Sequence, residues 1–94
     1  MSAREQRYCV VRGRVRGVGF RAFVREVAGT LGLRGWVRNL EDGSSVAVLA
    51  EGHSDHLDKL VSRLNDGPPL ARVDDIDCRR VTVSGIPAGF EIRR

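Results

Sequence analysis

Cysteine is scarce in this chain, and the two that occur build no scaffold. Cys9 and Cys78 lie far apart with no Cys-x-x-Cys spacing, so they are expected as reduced thiols packed in a core, in a cytoplasmic setting. Cys9 has no histidine close by in the expected topology to activate it as a nucleophile. No stretch reaches the roughly 18 to 20 apolar residues that a membrane-spanning helix needs. The charged N-terminus has no apolar segment behind it, so no secretory signal is expected. Lysine is almost missing: of the 16 cationic residues all but Lys59 are arginine. The planar guanidinium fork suits phosphate and carboxylate, although a base-composition bias of the gene explains the same preference. Gly-Lys-Ser and Gly-Lys-Thr are absent, which excludes a P-loop.

What remains is a chain of 94 residues, 41% hydrophobic and 30% charged. That fits one domain over residues 1–94 with a single modest core. The net charge of +4 is unevenly spread. The first 40 residues set nine Arg against Glu5 and Glu26, whereas the rest is acidic overall. An anionic partner for the N-terminal half follows.

Periodicity divides the chain into alternating and helical segments. Residues 7–15 read as a strand with Cys9, Val11 and Val15 on one face. A turn-rich loop, Gly13 to Gly19, leads into a helix from Phe20 whose apolar stripe is Phe20, Phe23, Val24, Val27 and Leu31, ended by Gly32. A second strand, 33–40, passes through the hairpin dipeptide Asp42-Gly43 into a third at Ser45–Glu51. A second helix runs from Ser54, read as its N-cap, to Asn65, with Leu57, Leu60, Val61 and Leu64 facing inward. Gly67-Pro68-Pro69 stops it, and strands follow at Val73–Val83 and Gly89–Arg93. The order predicts an α+β fold: a ferredoxin-like βαββαβ sandwich, an antiparallel sheet with two helices on one face and a short fifth C-terminal strand.

Element lengths place two distant side chains together. A helix of 11 or 12 residues descends roughly 17 Å, and the second strand climbs back roughly 20 Å. Its upper end, Arg38-Asn39, therefore returns to the sheet edge that holds the glycine loop and the start of the helix, where Arg21 and Asn39 can meet. Glycines 13, 17 and 19 leave backbone N–H groups free to point inward, and the helix start adds its positive pole. Arg21 puts a further cation at that pole, an arrangement that an anionic ligand would stabilise. Gly17-x-Gly19-x-x-Ala22 also satisfies a permissive dinucleotide pattern, but the alternating strand and the Asp-Gly hairpin oppose a Rossmann half.

Gly13-Arg-Val-Arg-Gly-Val-Gly-Phe-Arg21, with Gly35-Trp-Val-Arg-Asn39 and Asp42-Gly43, resembles the acylphosphatase family. Ala50-Glu-Gly52, Gly67-Pro-Pro69 and Gly89-Phe-Glu-Ile92 extend the similarity over nearly the whole chain. The resemblance implies a small hydrolase that needs no metal or cofactor and splits the carboxyl-phosphate anhydride of acyl phosphates into carboxylate and inorganic phosphate. It implies that Arg21 binds the phosphoryl group and Asn39 orients the attacking water. The backbone amides of Val15, Arg16, Gly17, Val18, Gly19 and Phe20 would cradle the phosphoryl oxygens. Phosphate or sulfate is then a product-like ligand. Arg16 stands where members commonly have Gln, and Leu40 where animal members often have Thr.

Other constellations carry less. His53 and His56 are spaced to share a metal but have no third ligand in sequence. Asp74, Asp75 and Asp77 with Arg79 and Arg80 read as a charged solvent face. Trp36 and Phe90 read as packing residues. A non-catalytic module binding phosphate, an acyl phosphate or nucleic acid is the alternative. An RNA-recognition sheet needs exposed aromatics on its central strands, for which Tyr8 is the one candidate, so nucleic acid is not expected. A monomer without membrane contact is expected.

Overall fold

The computed structural model describes residues 3–94. Its elements follow the order β1 (Arg4–Arg14), α1 (Phe20–Thr30), β2 (Arg34–Asn39), β3 (Val46–His53), α2 (Ser54–Asp66), β4 (Arg72–Val81) and β5 (Phe90–Arg93). One five-stranded sheet has the order β4-β1-β3-β2-β5. The first four strands are antiparallel neighbours, which is the expected ferredoxin-like arrangement. The short last strand lies parallel to β2.

Both helices cover the same sheet face because their apolar stripes have no other surface to meet. Phe20, Val24, Val27 and Ala28 of α1 are buried, as are Leu57, Leu60 and Leu64 of α2. They close over Cys9, Val11, Val37, Val46, Val48 and Ala50, the inward set of the three central strands. Fully burying a side chain such as Leu57 or Val24 contributes roughly 1.5–3 kcal/mol, so this single layer is the main stabilising feature. Phe23 and Leu31, expected in the stripe, pack only partly against it at the helix margin.

Three expectations need correction. Cys9 and Cys78 are joined in a disulfide across 69 positions of sequence. Antiparallel pairing of β1 with β4 sets the two residues directly opposite each other, which spacing along the chain cannot reveal. Ser54 is the first residue of α2 and its N-cap is His53, which makes no side-chain cap; the Ser54 N–H donates instead to the Ala3 carbonyl at 2.8 Å. Gly13 does not belong to the loop cradle. It sits at a bulge in β1, with φ 134°, where a Cβ would lie 2.2 Å from the Arg72 carbonyl oxygen of β4. Trp36 is half-buried and points away from the helices, whereas Phe90 does pack on the core.

The connection from β4 to β5 crosses from one sheet edge to the other. Side chains from the sheet hold it there: Gln6 donates to the Val83 carbonyl and accepts from the Val83 N–H, and Arg34 donates to the Ile86 and Pro87 carbonyls. No helix among the described residues is long and apolar enough to cross a membrane.

Candidate active site

β1, α1 and β2 position the site. Val15, 2% exposed, plugs into the core just past β1 and anchors the base of the loop. Gly17 and Gly19 then take φ values of 73° and 78°, a left-handed backbone that side-chain-bearing residues adopt only at a cost. Gly19 is the N-cap of α1, with no side-chain cap and no acid in the first turn. The orphan amides and positive pole of α1 are therefore not neutralised by the protein's own side chains. Phe20 buries its ring at 1% exposure, so only its backbone can serve a ligand.

Arg21 follows, half-buried. Its guanidinium donates to the Arg93 carbonyl at 3.4 Å, a long contact, and among the described residues it has no carboxylate partner. Asn39 ends β2, its register set by pairing with Val46, and its carboxamide makes no hydrogen bond among the described residues. Both side chains line a cavity of about 220 Å³ together with Val15, Gly17, Gly19, Phe20, Ala22 and Ile92. Arg21, Asn39 and Ile92 also line an adjoining open space of about 510 Å³ that reaches Arg94. The two side chains that topology was expected to bring together thus share one hollow.

Two of the residues expected to serve through their backbone amides turn their side chains elsewhere. Val18 packs against the core. Arg16 reaches across the loop and donates to the Leu40 carbonyl at 3.1 Å, so the two positions that depart from the common motif touch each other. Ile92 and Arg94 were missed, because the parallel docking of β5 on β2 delivers them and no local pattern announces it.

No Asp, Glu, His or Cys side chain lines either hollow. Asp42 lies in the β2–β3 turn that follows Asn39. The Ser45 side chain, then the Ser44 and Ser45 N–H groups, hold its carboxyl down at about 2, with the Arg16 charge helping. It accepts from those two N–H groups at 2.9 and 2.8 Å, so its work is to shape the turn that follows Asn39. His53 and His56 lie edge to face, ring centroids 6.0 Å apart, and no group of three metal-ligating side chains gathers among the described residues.

The ferredoxin-like α+β sheet thus carries a hollow lined by a guanidinium, a carboxamide and the glycine backbone at the start of α1. The acylphosphatase family model matches residues 7–92. The acylphosphatase of Aeropyrum pernix is 48% identical over 89% of this chain and 83% of its own. The crystal structure of acylphosphatase from Bacillus subtilis superposes with a TM-score of 0.88 at 38% identity, covering 95% of this chain and 98% of that one. A carbamoyltransferase, HypF2 of Cupriavidus necator, is 51% identical over 87% of this chain, but the match spans 10% of its own length. The chain belongs to the acylphosphatase family of enzymes.

Proposed function

We propose that residues 1–94 act as a single acylphosphatase-like domain that hydrolyses the mixed anhydride of a carboxylic acid and phosphate. The carrying observation is that Arg21, Asn39 and the open end of α1 share one hollow without a carboxylate. In this reading Arg21 exchanges its long contact with the Arg93 carbonyl for two phosphoryl oxygens. The amides of 15–20 take the remaining oxygen, and Asn39 accepts a hydrogen from the attacking water through its carbonyl. Water oxygen bonds to phosphorus, the bond from phosphorus to the acyl oxygen breaks, and carboxylate leaves with that electron pair. The water's proton ends on the released phosphate.

Little acid catalysis is needed, because a carboxylate is already a good leaving group. Holding and aligning the reactants supplies most of the acceleration. Preorganised donors aimed at the equatorial oxygens supply the rest. Release of phosphate from benzoyl phosphate, measured with a chelator present, tests the reading. Turnover by the wild-type chain is expected. Phosphate binding without turnover would assign the domain to the non-catalytic alternative.

A further inference from the structure

The sheet face turned away from the helices carries a second hollow, of about 430 Å³, that the proposed reaction does not use. Its floor is Leu49, 5% exposed, between Tyr8 on one neighbouring strand and Trp36 on the other, all three in one cross-strand row. The two rings meet edge to face, centroids 6.3 Å apart. The crossing segment Val83, Ser84 and Gly85 closes one side. Three guanidiniums form the rim: Arg38 and Arg93 stand 5.3 and 5.5 Å from the Trp36 ring centre, and Arg79 stands 5.8 Å from that of Tyr8.

The charge balance of this rim is one-sided. No carboxylate lines the hollow. Arg93 pairs with Glu91 at 3.2 Å, but among the described residues neither Arg38 nor Arg79 has an acidic partner. Arg38 and Arg93 are also cross-strand partners, so two like charges crowd one indole. Cation–π contact holds the guanidiniums against the rings and leaves N–H groups for oxyanions. Aromatic walls with a cationic rim match a ligand that joins a planar ring to a phosphate.

We propose that this hollow is a binding site for a free nucleotide, its base against Trp36 and Tyr8 and its phosphate held by Arg38, Arg79 and Arg93. Its volume lies within the range that takes one small ligand. The face beyond it does not continue the pattern: Asp75 and Asp77 on β4 and Glu51 on β3 stand on either side, which disfavours a long polyanionic strand. Two rim residues adjoin the proposed catalytic pair, since Arg38 precedes Asn39 and the Arg93 carbonyl accepts from Arg21.

Trp36 is the single tryptophan, so its fluorescence reports on this hollow alone. The wild-type chain and Arg21→Ala, in which the other site is impaired, are each titrated with adenosine 5′-monophosphate, adenosine and a short oligoadenylate. Saturable quenching by the monophosphate is expected. Arg38→Ala and Arg79→Ala, both at exposed positions, should each weaken it roughly tenfold, the loss expected when one charge-assisted contact goes. Adenosine should quench far more weakly. No quenching, equal quenching by adenosine, or unchanged affinity in both variants would overturn the proposal. Oligoadenylate binding more than about tenfold tighter per site would overturn it in favour of a strand-binding face.

Discussion

Arginine does two different jobs at two places in this molecule. At the loop edge Arg21 stands beside a helix start that already carries positive partial charge, with glycine backbone on one side and a carboxamide on the other. On the open sheet face Arg38, Arg79 and Arg93 lie against aromatic rings. In the proposed reading the first setting concentrates donors on one small tetrahedral anion, and the second spreads cations around a flat apolar floor. On both proposals the same side chain serves different ligands, and what decides is whether main-chain amides or aromatic faces surround it.

Breaking the first setting should cost most. Arg21→Ala removes the one side-chain cation of the small hollow and should lower kcat/KM for benzoyl phosphate by on the order of 10³, while leaving quenching of Trp36 by nucleotide intact. A parallel loss of both activities would show that the two hollows are not separate.

The disulfide comes next. It ties β4, which carries Arg79, to β1, which carries Tyr8, and it closes 69 positions of chain. Cys78→Ser with Cys9→Ser, or reduction, should lower the unfolding free energy by about 2–4 kcal/mol in a denaturant titration. Steady-state turnover at the loop edge of the surviving fold should change little, since neither cysteine lines that hollow.

Arg16 offers a finer probe. Arg16→Gln removes the charge-assisted bond to the Leu40 carbonyl, which clamps the loop to the strand end bearing Asn39. A loss of roughly fivefold in kcat with little change in KM is expected, because positioning rather than binding is impaired. The smallest effect concerns Asp42. Its folded-state value of about 2 lies below the ordinary 3.8, so it adds stability above about pH 4 that disappears as pH falls through 2. Asp42→Asn should flatten the acid limb of the stability profile in that window and lower stability slightly at neutral pH, the two proteins converging below about pH 2.

Much of this organisation is legible in the sequence. Alternation in 7–15 and the three-and-four spacing from Phe20 give the strand and helix directly, and the Asp42-Gly43 turn sets β2 against β3. Matching lengths of α1 and β2 then bring Asn39 back to the loop. What stays hidden is pairing between distant strands. Nothing local puts Cys78 opposite Cys9, or lays a four-residue β5 parallel to β2 so that Ile92 lines the hollow. Trp36 reads as a packing residue because its neighbours across the sheet, Leu49 and Tyr8, are known only once that register is fixed. Gly13 misleads for the same reason, its partner being the Arg72 backbone.

The division of labour between Arg21 and Asn39 is open to one decisive comparison. For Asn39→Ala, inorganic phosphate affinity and benzoyl phosphate turnover are measured on the same preparation. The account predicts near wild-type phosphate binding with turnover lower by on the order of 10² or more, since water alignment is lost while the anion contacts remain. Wild-type turnover in that variant would contradict it.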